Sequence, residues 1–212
     1  LADTLRGDNP KLAQRIVEEA RWGLDWILKT SFGDGFRVGF ATMDRWTDGI
    51  LGTADDMVAD PENRWHPLTS IVHTNVPFTT ATTEALAARC FKDSNPALAA
   101  RCLNAARNDW QFAVETTDAP TLDFAAAGAL ASVEMFKATG EQAYANRAVE
   151  LADVIVACQQ REAMPWDVPL SGFFYTDTKK DRTLHYFHAD QSQAPIVALA
   201  ERNRVAMNGA AR

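Results

Sequence analysis

The sequence is poor in cysteine, lacks a long apolar run and carries no excess of positive charge, and each absence excludes a class of protein. It contains three cysteines, Cys90, Cys102 and Cys158. Because their number is odd and no C-x-x-C pair occurs, neither a disulfide framework nor a thiolate zinc site is indicated. All three lie on apolar helical stretches, so we expect buried thiols. No apolar run approaches the ~18 residues that span a bilayer.

The charge of the chain restricts its partners. Lys and Arg number 21 and Asp and Glu number 28, which gives a formal net charge of -7 over 212 residues. An acidic chain is a poor partner for nucleic acid or for an acidic membrane surface, so we expect neither, and a neutral or cationic ligand is favoured. The first residues also lack the basic and apolar segments of a secretion signal, which by itself leaves the compartment open.

Helix signals cover much of the chain. Asn9 and Pro10 pair an N-cap residue with a proline at the first helical position. The helix that follows carries apolar residues around most of its circumference, which predicts packing on several sides. We therefore expect Trp22 and Trp26 to lie in the core, and Trp110 on a later helix likewise.

Two helical hairpins are predicted in the middle of the chain, over 80–93 with 96–116 and over 122–138 with 141–160. Their turns are short, one with an Asn-Pro start and the other ending at Gly140. The second hairpin repeats the first at a spacing of 45 residues, from Phe91 to Phe136. Such a repeat indicates a solenoid or a closed ring of hairpins. A last helix is predicted over 192–207, with Pro195 in its first turn.

Two long irregular segments, residues 32–77 and 161–188, interrupt the helices. They are rich in glycine, proline and aromatic residues, and long loops inside a compact domain are usually functional. A short strand is predicted at 36–40. We expect the two segments to lie at one rim of the hairpins and to build a site there.

Four segments of the chain resemble glycoside hydrolase family 9, the endoglucanase-type family. In order, they are 18–29, 44–57, 83–113 and 128–141. The first, EEARWGLDWILK, is similar to the family's helix E-x-x-W-G-x-D-[WY]-L-L-K, and the last contains KATGE, similar to K-A-T-G-D. The resemblance covers about residues 10 to 155. It implies an all-α fold in which antiparallel helical hairpins form part of an (α/α)6 toroid.

The sequence departs from the family at its catalytic motifs. In the family the base lies in an N-terminal D-A-G-D motif, and the acid is a Glu that follows Asn near the C-terminus. Neither motif occurs in this chain. The loop histidine expected from the resemblance is Arg45, and the tryptophan of the W-G-A motif is Ala127. No catalytic residue is therefore assigned, and we expect the acid and base outside this chain.

The length of the chain bears on its domain organisation. A ring of six hairpins at about 45 residues each needs more than 212 residues. We interpret residues 1–212 as one portion of a toroid-type catalytic domain, incomplete at both ends, with the remainder of its own polypeptide as a partner.

The resemblance also implies a calcium site, but Phe124 and Ala119 stand at two oxygen-donor positions near Asp123. We expect no cofactor.

Glycoside hydrolysis requires two carboxyl groups that flank the scissile bond. The carboxylates in or beside the irregular segments are Asp44, Asp48, Asp55, Asp56 and Asp167. Loop carboxylates more often cap helices or stay solvated, so no catalytic pair is nominated.

Sugar binding predicts a different set of residues, because the apolar face of a pyranose packs on flat aromatic rings. The predicted substrate-binding residues are Asp44, Trp46, Trp166, Tyr175, His185 and His188. The three aromatic members are expected to line one rim-side cleft, and plain loop packing is the alternative for them and for Trp65. The segment His185-x-x-His188 with Asp190 has the residue types of a metal site, but its spacing fixes no further ligand. We expect polar contacts there and no metal.

These observations predict a glycosidase that acts on β-linked glucan or a related plant or microbial polysaccharide. Its partner is an oligosaccharide or polysaccharide substrate, and the resemblance implies a secreted or periplasmic protein. The alternative is a non-catalytic helical-repeat module whose concave face binds a glycan or a peptide. Hydrolysis of soluble cellulose derivatives distinguishes the two.

Overall fold

The computed structural model describes Leu5 and residues 7–31, 37, 75–116, 120–184 and 189–210. This part of the chain forms six long helices: α1 (Pro10–Lys29), α2 (Asn75–Phe91), α3 (Pro96–Glu115), α4 (Leu122–Thr139), α5 (Gln142–Ala157) and α6 (Ala189–Ala210). Its β-structure is limited to isolated bridges, Ser31 with Arg37, Gln159 with Phe174 and Tyr175 with Thr183. The all-α prediction is confirmed. No described helix is long and apolar enough to span a membrane.

Local capping explains where the hairpin helices begin and end. The Asn9 and Asn95 side chains each accept a hydrogen bond from a backbone N–H three residues on, at 3.1 Å, and a proline follows each at the first helical position. Gly140 ends α4 in the left-handed conformation at φ 75°, and its N–H donates to the Phe136 carbonyl at 2.8 Å. Each cap satisfies groups that a helix end leaves unpaired. The short turns between helices make α2–α3 and α4–α5 antiparallel hairpins, as predicted.

The helices form two layers. In the first layer α2 packs beside α4 and α4 beside α6, while α3 covers α2 and α5 covers α4. Gly128 permits the closest approach, because a Cβ atom there would lie 2.7 Å from both Leu151 of α5 and Phe78 of α2. The ring of Phe78 lies 4.9 Å from that of Phe124. The apolar, alanine-rich α4 is therefore the centre of the core.

The spacing of the hairpin repeat also appears in the contacts between neighbouring first-layer helices. Arg89 of α2 donates to Glu134 of α4 at 2.6 Å, and the two residues are 45 positions apart. Glu134 accepts in turn from Lys137, which also pairs with Glu201 of α6. Equivalent positions of successive hairpins therefore lie side by side, as in an arc of stacked hairpins.

Antiparallel hairpins place the long connections at one end of these layers. The first-layer helices begin there, and α3 and α5 end there. The connection after α5 folds over this end, because the N–H of Leu122, the first residue of α4, donates to the Thr176 carbonyl at 2.9 Å. We call this end the rim. The described connection 158–184 lies at it, as expected, whereas the predicted strand at 36–40 falls almost wholly outside the described residues.

Two predicted helix starts were wrong. α2 begins at Asn75 rather than at residue 80, and α6 begins at Ala189 rather than at Ser192. Pro195 is consequently inside α6 and not in its first turn. Proline removes one helical hydrogen bond at that point, but Pro195 is fully buried. Packing of α6 on α4 outweighs the local preference.

The predicted burial of α1 was also wrong. Trp22 is 73% exposed and Trp26 is 46% exposed. The buried residues of α1 are Ala13, Leu24 and Leu28, which form one stripe facing α2. Apolar residues around a helix do not by themselves provide neighbours to pack against. In the described part of the chain, α1 packs on another helix only along this stripe.

The remaining burial predictions were confirmed for three residues and were wrong for one. Trp110 packs against the main core, with its indole N–H donating to Ser132 at 2.9 Å and its ring 4.8 Å from that of Tyr144. Of the three thiols, Cys102 and Cys158 are buried as expected, but Cys90 is exposed. Cys90 lies on the side of α2 that borders an open groove, so no element covers it.

Candidate functional site

Three aromatic rings form a stack at the rim. Trp166 and Phe173 lie nearly parallel, with ring centroids 5.8 Å apart and planes 16° from each other. Phe173 in turn contacts Tyr175, with centroids 5.3 Å apart. Trp166 is 47% exposed and Tyr175 is 8% exposed, so the stack runs from solvent into the core. We call these three residues the aromatic stack.

Backbone hydrogen bonds hold the aromatic stack in place. The connection after α5 folds back on itself, with Gln160 donating to the Phe173 carbonyl at 2.8 Å and Gly172 donating to the Gln160 carbonyl at 2.6 Å. Gly172 adopts φ 85°, which favours glycine over residues with a side chain. Tyr175 donates to the carbonyl of the buried Cys158 at 2.9 Å. The exposed Trp166 ring therefore rests on an ordered support.

Charged groups surround this support. Lys180 Nζ lies 5.9 Å from the centre of the Tyr175 ring and donates to the Gln159 carbonyl at 3.0 Å. Asp167 is exposed beside Trp166. Asp123 lies in the first turn of α4, and desolvation raises the pKa of its carboxyl. The rim thus combines an apolar ring face with polar groups at its edge.

The structure describes two of the six predicted substrate-binding residues. Trp166 and Tyr175 belong to one stack and are joined through Phe173, which the sequence analysis did not nominate. The run Phe173-Phe174-Tyr175 in an irregular segment was the signal that could have identified it. The other four lie outside the described residues, namely Asp44, Trp46, His185 and His188. The substrate-binding role of all six stays a prediction.

A second group of polar residues is buried between α1, α2 and α3. The Arg37 side chain donates from Nε to Asp109 at 2.5 Å, from Nη2 to Glu84, and from Nη1 to the Ile27 carbonyl at 2.5 Å. Thr80 donates to the same Asp109 oxygen as Arg37 Nε, at 2.5 Å. Arg37, Glu84 and Asp109 are each at most 3% exposed. We call these three side chains the buried ion cluster.

The buried ion cluster was not predicted from the sequence. Burial first and Asp109 second raise the pKa of Glu84 to about 8, against a smaller opposing effect of Arg37. Burial also raises the pKa of Asp109. No solvent reaches this group, so it is not a substrate site. It fixes the chain at residue 37 to three helices.

The calcium site implied by the family does not fit the described residues. Phe124 is buried in the main core and supplies no oxygen, and Ala119 lies outside the described residues. Calcium takes six to eight oxygen ligands, of which Asp123 is the one carboxylate here at a matching position. Within the described part of the chain, no three His, Cys, Asp or Glu side chains cluster in a way that could hold a metal ion.

A large groove lies away from the aromatic stack. It has a volume of about 540 Å³ and runs between α1 and α2, lined by aliphatic residues such as Val17, Leu24 and Leu86. Its polar lining is limited to side chains such as Gln14, Thr83 and Ser94. Phe91 is the one aromatic residue among its lining residues, and none of them carries a carboxyl group, so the rim remains the candidate site.

Comparison with known families agrees with this architecture. The family model described as Glycosyl hydrolase family 9 matches residues 5–208, nearly the whole chain. Comparison with curated proteins gives no significant match. The matched residues include α1 to α5, α6 as far as residue 208, the aromatic stack and the buried ion cluster. The chain belongs to glycoside hydrolase family 9.

Proposed function

We propose that this protein takes part in hydrolysis of a β-linked glucan or a related polysaccharide, bound at the rim. Family membership supports glycoside hydrolysis as the kind of reaction. The choice of a β-linked glucan and of the rim rests on the resemblance to endoglucanase-type sequences and on the aromatic stack. The same resemblance favours action outside the cytoplasm.

The observation that carries the proposal is the exposed face of Trp166. One face of its indole packs on Phe173, which leaves the other available to a ligand. The C–H face of a pyranose is apolar and its edge is polar, so it packs on an aromatic ring while its hydroxyls reach polar groups nearby. Asp167 and Gln160 lie close in sequence to the stack and offer such groups.

The remaining predicted residues complete this cleft in our proposal. Trp46 and Asp44 would contribute from the connection between α1 and α2, and His185 and His188 from the connection that precedes α6. Both connections join helices at the rim, which is the physical reason to assign them to one cleft. Tyr175, being buried, would act by supporting Phe173 and not by touching sugar.

The chemistry requires one protonated and one ionised carboxyl on either side of the scissile bond. We assign no residue to either role. The buried carboxyls of Glu84 and Asp109 are excluded, because substrate cannot reach them. Asp123 is at the rim, but a single carboxyl does not make a catalytic pair.

Calorimetric titration of Trp166→Ala with a cello-oligosaccharide tests the proposal. An aromatic contact of this kind contributes about 1 kcal/mol, so the variant should bind about fivefold more weakly than the wild type. Trp22→Ala is the matched control, because Trp22 is also exposed but lies on α1. Equal affinities for the two variants would contradict binding at the rim.

The second candidate function is a non-catalytic module that binds glycan or peptide. The absence of the family's catalytic motifs from this sequence favours it. Release of reducing ends from a soluble cellulose derivative separates the two functions. Hydrolysis by the 212-residue chain alone would overturn both this alternative and our expectation that the acid and base lie elsewhere.

A further inference from the structure

The buried ion cluster places two carboxylates on one cation. Arg37 donates to Asp109 Oδ2 from Nε and to Glu84 Oε1 from Nη2. These two nitrogens lie on the same edge of the guanidinium group, the edge that ordinarily holds both oxygens of a single carboxylate. Two carboxylates therefore share the pair of N–H groups that ordinarily binds one. With both ionised, the cluster would carry a net negative charge in the core.

The outer oxygens of the pair are also unsatisfied. Glu84 Oε2 and Asp109 Oδ1 are both buried and accept no hydrogen bond within the described part of the chain. A buried acceptor without a donor costs the free energy of its desolvation, and an ionised one costs more. One proton on the pair would remove the excess charge and supply a donor that no described residue provides.

We infer that the Glu84–Asp109 pair holds one proton in the folded protein at neutral pH, carried by Glu84, and that its release at alkaline pH destabilises the fold, because it leaves two ionised carboxylates on one buried cation. The proton comes from solvent during folding and returns to solvent on release. Arg37 stays charged throughout and keeps both carboxyl groups as acceptors. The inference is independent of the proposed catalytic function.

The surroundings of Glu84 supply no second cation in the described part of the chain. Cys102 of α3 faces it, and the pKa of that thiol is raised to about 11, first by burial and then by the charge of Glu84. Arg101 of α3 and Arg21 and Asp25 of α1 act on Cys102 from the protein surface. None of them hydrogen-bonds to the pair.

Ionisable residues of α4, the other helix packed on α2, do not reach the pair either. They are Asp123 at the start of the helix and Glu134 and Lys137 near its end. The last two are engaged with Arg89 and Glu201. Arg37 is thus the one cation on two carboxyl groups among the described residues.

The sign of the resulting pH dependence follows from the direction of the shift. The pKa of Glu84 is raised from its ordinary 4.5 to about 8 in the folded protein. Between these values the folded state binds a proton that the unfolded state has released. This contribution to stability is complete below about pH 4.5 and is lost as the pH rises through about 8. The folding equilibrium constant should fall by up to about tenfold per pH unit in that interval.

Urea unfolding of the full chain between about pH 5 and pH 9 tests the inference. In the wild type the folding constant should fall across this range, and Glu84→Gln should remove the fall that belongs to one proton. Glutamine keeps an acceptor for Arg37 and carries no ionisable proton. Asp109→Asn should reduce the fall without removing it, because it takes away the second cause of the raised Glu84 pKa and leaves burial, the first. The matched control is Glu19→Gln, which changes an exposed carboxyl of α1 and should keep the wild-type pH dependence.

The inference is overturned if Glu84→Gln loses stability equally at every pH and retains the wild-type slope. Should this variant fail to fold, infrared spectra of wild-type protein with ¹³C-labelled glutamate provide the second measurement. A protonated glutamic acid carbonyl band that persists at neutral pH and disappears on alkaline titration is the expected result. Complete ionisation of all glutamates at neutral pH would rule the inference out.

Discussion

At the scale of single residues, Gly128 shows how close packing constrains one position of the core. It sits at the contact of α4 with Phe78 and Leu151, both fully buried. A methyl group there would lie 2.7 Å from each side chain, and neither can move without displacing other core residues. The same helical glycine in an open setting, Gly23 of α1, has no atom within 4 Å of a built Cβ.

The two glycines predict opposite effects of the same substitution. Gly128→Ala should destabilise the fold by about 1 to 2 kcal/mol, because overpacking exceeds the gain in helix propensity. Gly23→Ala should stabilise it by up to about 1 kcal/mol, since only the gain remains. Urea unfolding of the two variants measures both. A stabilised Gly128→Ala variant would show that α4 does not approach its neighbours so closely.

Interactions between residues close together in the sequence were predictable, whereas interactions between residues far apart in the sequence were not. The Asn9 and Asn95 caps and the Gly140 helix end follow from residue types a few positions apart. Arg37 lies 47 and 72 positions from its partners Glu84 and Asp109. No local pattern connects residues at such separations, so the buried ion cluster emerges only from the packing of the helices.

At the scale of elements, the short turns and the apolar faces of the helices together determine the hairpins. The repeat spacing of 45 residues correctly predicted neighbouring hairpins, and Arg89 with Glu134 is a direct contact at that spacing. Burial was predicted less well for α1. Its apolar composition is compatible with several packed faces, but composition does not reveal how many neighbours a helix has.

The cap between α2 and α3 gives a prediction at this scale. Asn95→Ala should lower the free energy of unfolding by about 1 kcal/mol, because the N–H of Leu98 loses its acceptor. Ser94→Ala, one residue earlier in the same exposed turn, should change it by less than about 0.5 kcal/mol. Thermal unfolding of the pair resolves the difference. Equal losses would indicate that the turn, not the cap, defines the start of α3.

At the scale of the whole molecule, the arrangement of hairpins is the reason why we propose a site at the rim. Antiparallel helices bring long connections to one end, and the described connection there presents the aromatic stack. The family and the all-α fold were predictable from the sequence, because segments such as 18–29 and 128–141 carry family patterns along helices. The place of Phe173 in the aromatic stack was not predictable, because it depends on the chain folding back on itself after α5, which no sequence periodicity indicates.

We propose a glucan site at the rim, and titration of indole-¹⁵N-labelled protein with a cello-oligosaccharide tests this location. The chain has six tryptophans, each with one indole N–H signal. The account predicts that the Trp166 signal shifts with saturation, while the signals of Trp22 and Trp110 stay in place because their helices lie away from the stack. Shifts of Trp22 with an unmoved Trp166 would contradict it and would place the ligand at α1 instead.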